Sequence, residues 1–159
     1  MEKAKECLQL SEEELEQVSR LTIPSHRVGV QPCSFYEYYA LRGIRVHRVE
    51  PGFVACTFKV PPRLTDRTGK LASGVIANLV DEVGGVVVRA KSLPRSVSVD
   101  MSISFLSTAN ANDELAITSR VLRQRGGYSG TIVLLRNKAT GEIIAEGRHS
   151  LFRKHASKM

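Results

Sequence analysis

Residues 69–88 form the longest apolar run of the chain, and this run contains a single acidic pair, Asp81 and Glu82. A carboxylate among small and apolar residues is costly unless it is solvated, paired or used in a reaction. Such a group can act as a general base or as a nucleophile. Glu82 lies about 100° further around a helix and points elsewhere. Asp81 is therefore the first catalytic candidate, with an exposed polar position or an interface salt bridge as the alternative.

Helical spacing would divide this run into two faces. The apolar face carries Ile76, Leu79, Val80, Val83 and Val87, and the other face carries small or polar residues around the acid, namely Gly74, Ala77, Asn78, Asp81, Gly84 and Gly85. Each glycine inside a helix costs roughly 1 kcal/mol relative to alanine, so we expect a backbone or a ligand to approach this second face closely. The alternative is two buried strands broken at the paired glycines, because three valines follow them.

The start of this helix is a second candidate for chemistry. Ser73 is predicted to act as its N-cap. The backbone N–H groups that follow, beginning at Gly74, would then point outward as an oxyanion or anion site.

The flanking segments have the period-two alternation of strands. A hairpin over residues 44–49 and 53–60 precedes the helix, and strands over residues 97–105, 114–125, 128–138 and 142–152 follow it. In the first of these four, alternation places Val97, Val99, Met101, Ile103 and Phe105 on one face and Ser98, Asp100, Ser102 and Ser104 on the other. One long helix amid an antiparallel sheet of about six strands predicts an α+β fold in which the sheet wraps the helix.

The remaining segments are peripheral. Residues 1–42 are predicted to be an N-terminal helical extension, with a capping box at Ser11 and a second short helix within residues 33–41. Residues 43–153 form the main domain, and residues 154–159 form a basic tail. Because such a sheet leaves a face and its edges uncovered, oligomerisation is expected.

Composition narrows the function classes. The 159 residues suit one main domain, and no apolar run approaches the roughly 20 residues of a membrane span. Three cysteines and four histidines lack metal-ligand spacing, so we expect free thiols, no metal and no cofactor. The net charge of +7 favours an anionic partner, such as a phosphate-bearing ligand, nucleic acid or a membrane surface, unless it is simply a solvated basic surface. Scattered basic residues without Trp argue against a nucleic-acid partner.

Several motifs, in the right order and with matching gaps, carry a family resemblance. They lie at residues 64–74, 79–81, 98–103, 121–125 and 137–149. From about residue 43 to residue 152 the chain resembles hotdog-fold acyl-CoA thioesterases of the acyl-CoA thioesterase 13 type, in the phenylacetate-thioesterase-like branch. The resemblance implies that residues 43–153 are a hotdog domain, usually a dimer paired into a tetramer. It also implies active sites at the dimer interface and hydrolysis of an acyl-CoA to a free acid and CoA.

The resemblance also implies roles for individual residues. Asp81 would activate water or attack the thioester, Ser98 would orient the water, and the helix start at Ser73 and Gly74 would donate a backbone N–H to the thioester oxygen. The chain departs from the family at two positions, since Ala72 stands in place of a histidine and Asp66 in place of an asparagine. An ionised Asp66 only accepts hydrogen bonds, so it would alter the position of the water or add a second carboxylate.

The CoA moiety would be held by two segments, the loop after the third strand and the next hairpin. The matching residues are Ser107, Thr108, Ala109, Arg123, Gln124, Arg125, Gly126, Gly127 and Tyr128. The arginines would meet phosphates, and the glycines would let the backbone approach, unless this is a hairpin turn with solvated arginines. His149 is read as a packing or hydrogen-bonding residue. The rival functions are an acyl-CoA-binding hotdog protein with little hydrolase activity and a basic nucleic-acid-binding module.

The last three residues, Ser157, Lys158 and Met159, resemble the C-terminal Ser-Lys-Leu peroxisomal address. Methionine replaces leucine conservatively, and basic residues lie just upstream. The sequence therefore predicts a peroxisomal location, with the cytosol as the alternative.

Overall fold

The structure is a computed structural model that describes residues 11–21, 35–90 and 96–153, together with Lys3 and Gln9. The chain divides into two compact units, Met1–Tyr39 and Ala40–Met159. The boundaries predicted after residues 42 and 153 stay predictions, and the basic tail lies outside the described residues.

Helix α1 (Glu12–Ser19) begins with the predicted capping box. The Glu14 N–H donates to the Ser11 hydroxyl oxygen at 3.2 Å, and the Ser11 N–H donates to the Glu14 carboxylate at 2.9 Å. These reciprocal bonds satisfy two backbone donors that a helix start would otherwise leave unpaired. Helix α2 (Phe35–Leu41) lies inside the predicted segment 33–41.

A six-stranded antiparallel sheet and one long helix form the second unit. The strands are β1 (Ile44–Glu50), β2 (Phe53–Lys59), β3 (Val97–Phe105), β4 (Glu114–Arg125), β5 (Tyr128–Asn137) and β6 (Ile143–Phe152), in the order β1-β2-β4-β5-β6-β3. Helix α3 (Ser73–Arg89) runs without a break through both central glycines, so the two-strand alternative is wrong. The predicted α+β hotdog arrangement is confirmed.

Helix α3 packs its apolar face against the sheet. The predicted residues of this face, Ile76, Leu79, Val80, Val83 and Val87, are all buried. They share one core with sheet residues such as Phe58, Leu115, Ile117, Val133 and Leu135. The helix approaches β6 closely at Gly147, where an added Cβ would lie 2.5 Å from Cγ1 of Val80. A glycine is therefore required there by close approach of the helix.

Strand β3 contains a β-bulge that changes which face its side chains occupy. Ser98 pairs with Leu151, but Asp100 pairs with Ser150, so Val99 is an extra residue in the ladder. Directly opposite residues share a face of the sheet. Ser98 therefore faces α3, as does the buried Leu151. The predicted placement of Ser98 on the same face as Asp100 is wrong, because simple alternation cannot anticipate the inserted residue.

Strand β3 is also an edge of the sheet, since it pairs only with β6 among the described strands. It exposes Val97, Val99, Met101 and Phe105 to solvent in the single chain. An edge strand with exposed apolar residues is a template for pairing with another chain.

None of the helices in the described ranges is long and apolar enough to cross a membrane. The same ranges contain no group of three or more His, Cys, Asp or Glu side chains placed to hold a metal ion. Cys56 is buried, and burial raises the pKa of its thiol to about 11, which leaves it protonated and unreactive at neutral pH.

Candidate active site

Three side chains from three elements meet beside the middle of helix α3. The Ser98 hydroxyl on β3 donates to Oδ1 of Asp81 on α3 at 2.6 Å. Nε2 of His149 on β6 lies 2.9 Å from Oγ of Ser98 and 3.2 Å from Oδ1 of Asp81. The Asp81 side chain is 42% exposed, whereas the His149 side chain is fully buried. The cluster therefore presents one solvent-facing carboxylate held from behind by two neighbours.

His149 is neutral in this arrangement. Burial lowers its pKa below the ordinary value of 6.5, and the nearby Asp81 carboxylate counteracts this only in part. Because the Ser98 hydrogen already points at Asp81, Nε2 faces an oxygen lone pair on each neighbour and must carry the ring proton. Nδ1 is then an acceptor, and it is buried without a partner among the described residues. His149 thus donates towards Ser98 and Asp81 and fixes both oxygens.

Gly84 explains how the imidazole fits beneath the helix. A Cβ added at Gly84 would lie 2.7 Å from Nδ1 of His149, 3.1 Å from Oγ1 of Thr131 and 3.3 Å from Cγ2 of Val133. The expected close approach to the small face of the helix is thus real at this position. The group that approaches is the His149 imidazole together with its sheet neighbours Thr131 and Val133.

The role of His149 was only partly predicted from the sequence. The hydrogen-bonding interpretation is confirmed, but the contact with Ser98 and Asp81 was missed. The contact follows from the register of β3 against β6. His149 pairs with Met101, and the bulge between Ser98 and Asp100 puts Ser98 on the same face as Met101. Alternation without the bulge would have placed the two side chains on opposite faces.

The start of helix α3 differs by one residue from the prediction. Ala72 is the N-cap and has no side chain that can cap, while Ser73 is the first helical residue. The predicted capping role of Ser73 is wrong, because Ser73 already lies inside the helix and the N-cap is the residue before it. The carbonyl of Ala72 accepts from Val75 and Ile76. The N–H groups of Ser73 and Gly74, both exposed, have no acceptor among the described residues, so this end remains free to bind an anionic oxygen.

Asp66 organises its own loop. Its Oδ1 accepts from the Thr68 N–H at 2.8 Å, the Thr68 hydroxyl at 2.7 Å and the Lys70 N–H at 3.1 Å. These bonds, led by the Thr68 hydroxyl, lower the pKa of Asp66 below its ordinary value. The side chain is therefore an ionised acceptor, as expected. Its contribution to the reaction stays a prediction.

The two predicted CoA-binding segments lie at opposite ends of the sheet. Ser107 donates its N–H to Ile144 at the start of β6, whereas Tyr128 pairs with Phe152 at the end of that strand. Eight residues of extended strand separate these points by roughly 26 Å. A single chain therefore does not bring residues 107–109 and 123–128 together around one ligand.

Other bonds already occupy part of the first segment. The Ser107 hydroxyl donates to Glu142 at 2.6 Å, and the Ala109 carbonyl accepts from the Leu71 N–H at 2.8 Å. Thr108 is exposed. In the second segment, Arg123, Arg125 and Tyr128 are exposed around the hairpin turn, and Gly126 has a positive φ of 59°. The hairpin is thus the more open of the two segments.

Comparisons with known proteins agree with this fold. A family model described as the thioesterase superfamily matches residues 68–132, which cover helix α3, β3, β4 and the start of β5. The crystal structure of zebra fish thioesterase superfamily member 2 superposes with a TM-score of 0.69 at 35% identity, over 71% of this chain and 83% of that chain. The mouse counterpart gives a TM-score of 0.67 at 33% identity, over 71% and 84% of the two chains.

A human relative gives the sequence evidence. Acyl-coenzyme A thioesterase 13 of Homo sapiens is 40% identical over 102 residues, which are 63% of this chain and 72% of that protein. The chain belongs to the thioesterase superfamily, and the predicted resemblance is confirmed.

Proposed function

We propose that this protein hydrolyses an acyl-CoA thioester to a free acid and CoA, with Asp81 as the general base that activates water. The observation that carries the proposal is the Asp81 carboxylate itself. Oδ1 is held by Ser98 at 2.6 Å and faces His149 at 3.2 Å, while Oδ2 has no partner among the described residues. A fixed, partly exposed carboxylate with one free oxygen can accept a proton from a water molecule.

Ser98 and His149 orient this carboxylate. His149 is buried and neutral, so it supplies a donor without placing a second charge in the site. Ser98 lies between the other two groups and can turn its hydroxyl towards an incoming water. Such preorganisation matters because a small misplacement of a reacting group costs a large part of the rate.

The thioester carbonyl is polarised by the free N–H groups of Ser73 and Gly74. Asp81 lies seven residues beyond Gly74, or about 10 Å along the helix axis. The family resemblance implies active sites at a dimer interface. The helix start therefore acts on a carbonyl whose water is held by Asp81 of a second copy, which requires two copies of the chain to pair.

A homodimer satisfies this requirement. The exposed apolar edge of β3, with Val97, Val99, Met101 and Phe105, is available for pairing with a second copy. The distance between the two CoA-binding segments of one chain also favours a dimer. In a dimer, residues 107–109 of one copy and residues 123–128 of the other can border one ligand. Further pairing of dimers into a tetramer, as the family resemblance implies, is part of the proposal.

The CoA phosphates are met by Arg123 and Arg125. Both are exposed beside the tight turn at Gly126 and Gly127, and neither has an acidic partner among the described residues. Guanidinium groups bind phosphate oxygens through paired hydrogen bonds. The basic net charge of +7 favours the approach of such an anionic substrate.

A second candidate is an acyl-CoA-binding protein with little hydrolase activity. Two observations favour it. Ala72 has no imidazole to help position the thioester, and the Asp66 carboxylate, which replaces an amide, is engaged by its own loop.

CoA release from a panel of acyl-CoAs tests the assignment. Asp81→Asn keeps the side-chain shape but removes the base, so kcat should fall by roughly 10²- to 10⁴-fold. Glu82→Gln, one residue further along the same helix, is the control and should retain activity. Equal rates for wild type and Asp81→Asn would remove Asp81 from the mechanism. Tight binding of acyl-CoA by a wild-type protein that releases no CoA would support the second candidate.

A peroxisomal location and a role in fatty acid metabolism are also proposed. They rest on the resemblance of residues 157–159 to a peroxisomal address and on the acyl-CoA substrate.

A further inference from the structure

A pocket of about 140 Å³ lies between the C-terminal end of α3, the residue before β3 and the β4–β5 hairpin. Val88 supplies its apolar wall, and the neutral polar side chains of Ser96, Gln124 and Ser129 line the rest with the hairpin glycines. Arg153 also borders it, and none of the described lining residues is acidic. The pocket therefore suits a small polar group that is not a cation.

The polar groups of this pocket leave one donor and one acceptor for a ligand. The Gln124 amide nitrogen donates to Oγ of Ser129 at 3.2 Å. The hydroxyl hydrogen of the buried Ser129 and the carbonyl oxygen of Gln124 have no partner among the described residues. A hydroxyl donor beside a carbonyl acceptor complements a neutral amide, which presents one C=O and one N–H.

The pocket lies at a defined distance from the candidate active site. Ser129 is two strand residues from Thr131, which pairs with His149, and Ser96 is two residues before Ser98. Each step corresponds to roughly 7 Å. Val88 lies seven residues beyond Asp81, or about 10 Å along the helix. The pocket thus begins roughly 7–10 Å from the Asp81 carboxylate.

The CoA molecule carries a neutral amide at that distance. Its pantetheine arm has one amide nitrogen three bonds from the sulfur and a second seven bonds away. In an extended chain these lie at roughly 4 and 8 Å, and the first phosphorus, thirteen bonds away, lies at roughly 15 Å. The second amide matches the pocket, whereas the phosphates would reach the hairpin tip with Arg123 and Arg125.

We infer that this pocket binds the second amide of the pantetheine arm. This inference rests on the proposed function, and it extends the substrate class from CoA thioesters to pantetheine thioesters generally. Phosphate contacts at the exposed arginines then add to recognition without being required for it. The hairpin is shaped for this role, because Gly127 packs so closely that an added Cβ would lie 2.4 Å from the Arg153 carbonyl oxygen.

A truncation series of thioesters with one acyl group tests the inference. The acyl-N-acetylcysteamine has only the first amide, the acyl-pantetheine has both amides, and the acyl-CoA adds the phosphates. For wild type, kcat/KM should rise by at least about fivefold between the first and second substrates, as expected for one hydrogen-bonded amide. Ser129→Ala should abolish this rise, so that its kcat/KM for acyl-pantetheine falls to its own value for acyl-N-acetylcysteamine.

Ser150→Ala is the matched control. Ser150 lies between the buried His149 and Leu151 on β6 and so faces away from the pocket. It should behave as wild type on all three substrates, and melting temperatures should show that all variants fold. A wild-type protein that hydrolyses acyl-N-acetylcysteamine as well as acyl-pantetheine would overturn the inference.

Binding of free pantetheine, measured by calorimetry, separates this inference from the proposed function. Weaker binding by Ser129→Ala than by Ser150→Ala would support the pocket even in a protein that hydrolyses nothing. Equal binding by the two variants would refute the pocket even in an active thioesterase.

Discussion

Replacing Gly84 with alanine should both destabilise the protein and disturb its candidate active site. The new methyl group would lie 2.7 Å from Nδ1 of His149, and ordinary contact begins near 3.4 Å. The imidazole or the helix must therefore move by about 0.7 Å. His149 cannot swing into solvent, because its side chain is fully buried and its Nε2 is held by Ser98 at 2.9 Å.

Gly85→Ala is a matched control on the same helix. A Cβ at Gly85 would meet only Cδ2 of Leu151 at 3.8 Å, an ordinary contact. Both substitutions gain the same roughly 0.5–1 kcal/mol of helix propensity, so this term cancels in the comparison. Overpacking in a core typically costs about 1–3 kcal/mol. We therefore expect the free energy of unfolding of Gly84→Ala to be lower than that of Gly85→Ala by this amount. For a chain of this size it corresponds to a gap in Tm of roughly 2–12 °C.

The assays are thermal unfolding and CoA release, applied to both variants and wild type. Gly85→Ala should melt at or above the wild-type temperature and keep its activity. Gly84→Ala should melt lower, and its kcat should fall by about 10- to 100-fold, because a 1 Å misplacement can cost about 10²-fold in rate. If Gly84→Ala matched Gly85→Ala in both Tm and kcat, the close packing of His149 against the helix would not position Asp81.

Three further predictions concern acid stability, assembly and location. Because His149 is buried and neutral with its pKa lowered from 6.5, its contribution to stability should be present above pH 6.5 and lost as the pH falls through its native pKa. In pH-dependent denaturation, His149→Gln should therefore show a weaker loss of stability in acid, and an unchanged acid limb would contradict this. Phe105→Lys places a charge on the exposed edge of β3, so sedimentation should detect monomers and CoA release should collapse. An active monomer would refute the shared site. Deleting residues 157–159 from a tagged chain should move it out of peroxisomes, and an unchanged location would reject the address.

Periodicity was sufficient to predict most of the fold. The 3.6-residue repeat of Ile76, Val80, Val83 and Val87 predicts helix α3, and period-two alternation predicts the strands. Both patterns arise from burial of one face, which the sequence records directly.

Long-range placement was harder to predict than the elements themselves. Ser98 and His149 are 51 residues apart, and their contact depends on the register of β3 against β6. That register contains a bulge, which leaves no signature in the hydrophobic alternation. The resemblance implies that Ser98 orients the water, which stays a prediction. The structure places its hydroxyl in contact with Asp81, although the alternation of the strand pointed Ser98 to the other face.

The start of α3 shows a different limit. Ser73 is a favoured N-cap residue, yet the helix begins one residue earlier and caps on Ala72. Propensity fixes a helix end only to within a residue or two.

The bulge at Val99 lets two residues at an odd spacing share one face of the sheet. Ser98 and Met101 are three residues apart, yet both oppose β6 residues that face α3. Deleting Val99 would leave Ser98 opposite Leu151 and Asp100 opposite Ser150, which is a regular ladder, so the Ser98 hydroxyl should stay on the face of α3. The cluster therefore tolerates the loss of this one residue. When sequences are compared across this strand, a single gap at position 99 does not remove the serine from the site.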